Sequence, residues 1–590
     1  MKRSPNGTVV FYNNRVETFL PADAPTGSQL IPQNALLAVS VSTDAEEWQQ
    51  LRDYGTPETQ AIVDAQLTTL RDTLLTANGY NYEQDIQPWL GKQVTIAYLS
   101  SQIPTAIAPP KTADAPVPAP LAQNSLVMVL PIANLGQFQQ FAANNSGKSA
   151  KFVERNYKGI QIRERPGTTG SKKIAPTSTT VLGNFLVVTT DPRLTERVID
   201  TYKGEPSLAA TTGYLQALAQ IQGGQTFAQM YLNVPAATAV TAANSARSLD
   251  PQNLAQLQQK QGVAATLSLE SEGIRWRGIS WLKPNSQQRL VVENNAKIMP
   301  LRLPSNTLLM ISGGNLQRLW QDYLQGAQSS PITPISPENI RTGLKSKLGL
   351  DLEQDFLSWM GGEFSLSLIP VAERTPSGLG AGLVFMVQAS DRHAAETSLR
   401  QLDEVMTKDY QFYVQETQLG DRPVVTWTSP LNGLTATHGW LDGNVAFITI
   451  GAPITSAILP TPKVPLTENK LFQQTVLTEL SPSNGHFFID VDRTINSGNL
   501  AFPQLSPEIR VFTNAIRALG VTAAINSDRS SRFDIFVLLK KSDNSSPLPT
   551  SSPSPKTPPA LKGSPVPKPS LSPKVTTSPS PASSSPSPPN

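Results

Sequence analysis

Few residues in this sequence could do chemistry, and they are scattered. There are three histidines, His393, His438 and His486, and no cysteine. Without cysteine there is no disulfide, thiolate metal site, iron–sulfur cluster or cysteine nucleophile. No HExxH pairs two histidines on a helix, and the spacing of the three fits ordinary surface or turn positions. Asp351, Glu353 and Asp355 are spaced like the start of a calcium loop, but Phe356 stands where the sixth-position glycine belongs. The same place earlier in the chain reads Asn81, Glu83, Asp85, so the shared feature is Glu-Gln-Asp ahead of a short helix. Carboxylates there cap free N–H groups and face the positive end of the helix dipole, with Asp85 as the expected N-cap. Gly378, Gly380 and Gly382 precede a strand, whereas a dinucleotide fingerprint follows one. GISWL around Ser280 lacks the second glycine of a nucleophile elbow. Asp490 and Asp492 are the carboxylates best placed to serve a hydrolase. No cofactor and no metal are expected.

The elements that would position these residues occur twice. GYNYEQDIQPWLG, from Gly79, is echoed by GLDLEQDFLSWMG, from Gly349. Gly79, Glu83, Asp85, Trp89 and Gly91 meet Gly349, Glu353, Asp355, Trp359 and Gly361. Upstream, Leu36-Leu37 and Trp48 meet Leu308-Leu309 and Trp320. Downstream, FAQMYLNV faces HFFIDVDR, and VAATLSLESEG faces VTAAINSDRSS. The order of blocks predicts two homologous lobes, 30–285 and 300–541, with an irregular segment 1–29, a connector 286–299 and a tail 542–590. The paired tryptophans stand beside leucines at helical spacing, which predicts core; ligand stacking between lobes is the sharper alternative.

Within each lobe, strand-like runs such as LLAVSVS, QVTIAYL and SLVMVLP outnumber the helices between them. TTVLGNFLVVTT predicts a hairpin turning at Gly183-Asn184. DPRLTERVIDTYKG predicts a helix capped by Asp191, with Pro192 in its first turn and Gly204 as its stop. The fold class is therefore α+β: antiparallel sheets with helices packed on one face. A Pro/Ala-rich stretch, 100–124, predicts an exposed loop. The Pro/Ser/Lys-rich tail cannot bury a core and is expected to be disordered.

The chain has 590 residues and a net charge of +3, partly from lysines in the tail. A near-neutral body argues against a nucleic-acid partner. Lys2 and Arg3 resemble the start of a signal peptide, but the apolar run Val9–Tyr12 is too short for one. No window approaches the ~18 apolar residues of a membrane span.

GYNYEQDIQPWLG, the YKG block at Tyr157–Gly159 and the helix opening DPR resemble an uncharacterised, mainly cyanobacterial family of unknown function over residues 30–541. The resemblance implies an N-terminal membrane helix followed by a large extracytoplasmic region, and it brings no catalytic residues. This sequence departs from that pattern because no anchor is visible. The chain is expected outside the cytoplasm or at the membrane if an upstream anchor was lost from its start, and otherwise in the cytoplasm. Three readings stay open: a non-enzymatic envelope scaffold or binding protein with an unknown protein or envelope partner; a hydrolase with carboxylates between the lobes; a binder of apolar ligands or lipids there.

Overall fold

The computed structural model describes residues 24–74, 80–99, 125–146, 152–167, 176–244, 259–329, 336–371, 380–430, 434–451, 453–476, 480–497 and 505–541. Residues 100–124, most of the N-terminal segment, Gly79 and the tail 542–590 lie outside these.

Among the described residues, twenty strands form one sheet. The first ten are β1 (Leu37–Ser42), β2 (Gln93–Tyr98), β3 (Leu126–Pro131), β4 (Val153–Tyr157), β5 (Ile160–Arg165), β6 (Thr177–Leu182), β7 (Phe185–Thr189), β8 (Ala228–Asn233), β9 (Lys260–Glu270) and β10 (Gly273–Leu282). The others are β11 (Leu309–Gly313), β12 (Phe364–Pro370), β13 (Ala381–Gln388), β14 (Tyr413–Leu419), β15 (Arg422–Thr428), β16 (Thr435–Trp440), β17 (Val445–Ile450), β18 (Gly485–Asp490), β19 (Ile516–Ser527) and β20 (Ser530–Leu539). Every pairing is antiparallel, and the order is 4-5-6-7-3-2-1-8-9-10 followed by 20-19-18-11-12-13-17-16-15-14. The second half of that order is the first reversed, each strand number raised by ten. The expected antiparallel sheets are thus one sheet, joined edge to edge by β10 and β20.

Short turns explain the hairpins. Gly183 has φ +60 between β6 and β7, where the sequence placed the turn. Helix α1 (Pro192–Tyr202) opens as predicted, with the Asp191 carboxylate accepting the Arg193 N–H at 2.8 Å. Pleating sends alternate side chains of β3 to opposite cores. Val127 and Val129 join Leu194, Val198 and Ile199 of α1, while Met128 and Leu130 pack with Trp89 and Phe138 on the other face. Both faces of the outer strands therefore carry packed elements.

Ser28, Leu30 and Ile31, at the start of the first half, are buried. The stretch read as a connector, 286–299, is tied to the second half: the buried Glu363 carboxylate accepts the backbone N–H groups of Lys297, Ile298 and Met299 at 2.7–2.9 Å. Burial pushes the Glu363 carboxyl above its ordinary value, and those three N–H groups oppose the shift.

One ladder position runs across the middle of the sheet as a polar row: Thr95, Ser40, Gln229, Thr266, Arg277, Asp534, Thr522, His486, Ser312, Ser365. Arg277 and Asp534 sit at its centre, directly opposite one another, each the fifth residue of its strand. Pairing outward from them matches Thr266 with Thr522, Gln229 with His486, Ser40 with Ser312 and Thr95 with Ser365. Tyr231 then matches Phe488, and Asn233 matches Asp490. The sequence alignment of FAQMYLNV with HFFIDVDR is corrected by two residues, a slip that keeps every side chain on its face.

The centre of the row is a buried ion network. Arg275 reaches Asp534 at 3.0 Å and also pairs with Glu270; Arg277 lies 3.5 Å from Asp534. Replacing Asp534 by Ala leaves Arg275 with Glu270 alone and removes the buried carboxylate between two guanidiniums, which is expected to cost about 3 kcal/mol. A loss under about 1 kcal/mol in urea unfolding would mean that the ladder alone holds the halves together. Burial also lowers the pKa of His486, whose ring contacts Ser483 and Thr522. The folded protein then takes up fewer protons than the unfolded chain below pH ~6.5, so stability should fall as pH drops through that value. In His486→Gln, which copies Gln229, the drop in Tm between pH 7.5 and 5.5 should shrink; an unchanged drop would place its origin elsewhere.

Candidate functional site

The repeated signature folds as single π-helical turns, Tyr82–Ile86 and Leu352–Leu357. Asn81 and Asp351 are the N-caps, in place of the expected Asp85. The Asn81 side chain accepts from Gln84 N at 2.9 Å, and Asp351 accepts from Glu353 and Gln354. Asp85 and Asp355 reach back to the N–H of those caps at 2.8 and 2.6 Å. The indoles of Trp89 and Trp359 donate to the carbonyls of Asp85 and Asp355 at 2.6 and 2.9 Å. Both rings are fully buried. Their own carbonyls accept from Ala133 and Ser390, each at 2.8 Å, which ties each turn to the chain just past β3 and β13. Gly91 and Gly361 leave space here: a Cβ on Gly91 would meet Pro131 at 2.8 Å, and one on Gly361 would meet Ser390 at 3.1 Å. Gly349 ends its helix at φ +69. Glu353 binds Arg341 and the Trp320 indole, whereas Glu83 is exposed. Trp48 and Trp320 are only half-buried, so the expected core role holds for Trp89 and Trp359 alone.

The candidate chemical residues are not brought together. His393 is exposed, but His438 and His486 are not the surface or turn residues expected. His438 is buried with Asp403, 2.8 Å away, which also takes the Trp427 indole N–H. Asp490 is buried and accepts the Arg493 N–H at 3.0 Å, and burial raises its pKa. Its twin Asn233 makes the same kind of cap to Ala236, so both positions answer to the turn that follows. Asp492 is paired with Lys540 at 2.8 Å. Among the described residues, no group of ligating side chains could hold a metal.

The feature that sequence reading missed lies one residue along from the polar row. Val94, Val41, Ala228, Leu267, Trp276, Ile535, Val521, Phe487, Ile311 and Leu366 are successive ladder partners across the same strands, on the opposite face. All are apolar and none is buried; Trp276 is 37% and Ile311 39% exposed. On β1 the usual pattern is inverted: Ser40 and Ser42 are buried, while Leu37, Val39 and Val41 are half-exposed. β12 repeats this, with Ser365 and Ser367 at 0% against half-exposed Leu366 and Leu368. Soluble proteins keep contiguous apolar patches small, and larger ones mark binding surfaces. The row spans about 43 Å at ~4.8 Å per strand.

A groove of about 640 Å³ opens in the first half, where β1 begins and β8 ends. No helix among the described residues is long and apolar enough to cross a membrane.

No curated protein matches this chain. Among solved structures, crystal forms III and IV of TP0453 are similar, with a TM-score of 0.22 for each and 9% and 10% identity. Each likeness covers 43% of this chain, and 79% and 80% of the TP0453 chain respectively. A family model described as a protein of unknown function matches residues 7–539. The chain therefore belongs to the DUF3352 family, whose members are described as proteins of unknown function.

Proposed function

We propose that this chain is a non-enzymatic binding protein of the cell envelope, built from two duplicated lobes, and that its open apolar face takes the hydrocarbon chain of a lipid or a similar long apolar molecule. The observation that carries this reading is the inversion on β1 and β12, where serines are buried and leucines and valines are left open. The face offers hydrocarbon and little else. A protein partner would need roughly one hydrogen bond per 100–200 Å², and the row from Val94 to Leu366 offers a single side-chain donor, the Trp276 indole N–H. The row crosses the joint between the halves, so a bound chain would touch both. The envelope setting is supported by the absence of cysteine, the Pro/Ser-rich tail and the resemblance of the repeated motif to proteins with an extracytoplasmic region. The hydrolase reading is weaker, because Asp490 and Asp492 are engaged in a cap and an ion pair.

Titration of the full chain with oleate should shift tryptophan emission to the blue, and Trp276→Phe should remove most of that shift. In Trp276→Glu with Ile311→Glu, the chain would have to desolvate two carboxylates. Affinity should then fall at least about tenfold, or ~1.4 kcal/mol. Because both side chains are open, Tm should stay within a few degrees. Unchanged oleate affinity in the double variant would sink the proposal.

A further inference from the structure

The two halves differ in a way that points to a second site. In the first half Tyr231 packs edge-on against Tyr214, with ring centroids 4.8 Å apart. In the second half the matching pair is Phe488 and Phe472, at 5.4 Å. Packing in this place therefore does not need a hydroxyl. Tyr231 is fully buried, its hydroxyl lies beside the Thr211 hydroxyl and the Gln261 amide, and burial pushes its pKa up to about 12. The twin shows that phenylalanine would fill the place, so what the hydroxyl adds is its contact with those two groups.

Both hydroxyls lie under the groove of the first half. Thr211 precedes Thr212, which lines it, and Gln261, a neighbour of the Tyr231 hydroxyl, lines it too. The groove's charges cancel: Arg197 and Lys283 stand against Asp200 and Glu205. Asp200 is already held by Lys158 at 2.6 Å, and Arg197 donates to the Asn34 side chain at 2.7 Å. The rest of the polar lining is rich in primary amides, from Gln33, Asn34, Asn233 and Gln261. The Asn233 and Asn34 oxygens already accept from Ala236 N and Arg197, which leaves their N–H groups to donate, while Gln33 and Gln261 can offer a donor and an acceptor in one plane, the pattern that adjacent hydroxyls on a sugar ring present in return. With its charges balanced, the groove has no net field to select an ionic ligand of either sign.

We propose that this groove binds a neutral saccharide, with Asn34 and Gln261 as contact residues and Tyr231 as a positioning residue beneath Gln261. The site is separate from the apolar face and does not depend on it. Saturation-transfer NMR and calorimetry on the full chain, with maltotriose, chitotriose and trigalacturonate as probes, test it. At least one of the two neutral trisaccharides should bind, and more tightly than the acidic one. Asn34→Ala with Gln261→Ala should weaken binding at least tenfold while oleate binding is unchanged. Tyr231→Phe, whose packing the second half already uses, should weaken saccharide binding several-fold with Tm unchanged or raised. A Tm that falls in this variant would make the hydroxyl structural and remove it from the site. Binding of neither neutral trisaccharide, preference for trigalacturonate, or full affinity in the double variant would overturn the proposal.

Discussion

The joint between β10 and β20 is the constraint from which the rest of the molecule follows. These strands are equivalent in the two halves and pair with each other, so one residue of each meets its own counterpart at the centre. In a symmetric pairing of identical strands that residue would face itself, and like charges directly opposite are destabilising. Here the central pair is Arg277 and Asp534, an arrangement open only to a single chain whose halves have diverged. Buried ion pairs add little net stability, and register is where they act most clearly. A one-residue slip at this joint would turn Trp276 inward and Asp534 outward.

Register matters because the two faces of the central sheet are so unlike. The covered face carries a row of hydroxyl, amide, imidazole and charged groups, and the open face carries hydrocarbon. Several covered groups, Ser312, Ser365 and Ser367 among them, have no hydrogen-bond partner. Leaving large apolar side chains half-exposed forgoes about 25 cal/mol for each Å² left in water. Folding alone would favour the opposite arrangement on β1 and β12. A sheet that leaves apolar side chains partly open along ten successive strands, and some covered hydroxyls unpaired beneath them, is shaped by something that covers its open face, and that is the core of the lipid-binding reading.

The sequence made several layers of this legible. Alternation, glycine turns and the Asp191–Pro192 start identified strands, hairpins and a helix, because those signals are local. The repeated order of blocks pointed to matching strand plans in the two halves. The joint was not legible, since nothing local says that two equivalent hairpins will meet at their edges. Nor was the open face. LLAVSVS reads as a strand with its leucines and valines inward, and the period of two cannot say which phase faces the core. The repeated motif, Glu-Gln-Asp before Trp-x-Gly, is largely self-contained: its aspartates and indoles bond within the turn, and only Glu353 reaches out, to Arg341 and Trp320. The histidines were misplaced for the same reason, because burial of His438 and His486 depends on strands far away in sequence.

Divergence between halves is the remaining clue to what each does. Where one face must pack on a core, the halves agree in kind: Trp89 and Trp359 share a geometry down to their carbonyl bonds. Some of the disagreements are polar. Tyr231 stands against Phe488, Gln229 against His486, Asn233 against Asp490. Helix α1 has as its counterpart only the short 3-10 turn Thr455–Ala457. Three of the first-half members, Tyr231, Asn233 and α1, gather at or beneath the groove, to which α1 contributes Arg197, Asp200 and Thr201. Random drift would scatter such changes over the surface. Their concentration around one concavity, including a buried hydroxyl that the twin packs without, means that the first half kept or gained a polar site, while the apolar row stayed common to both.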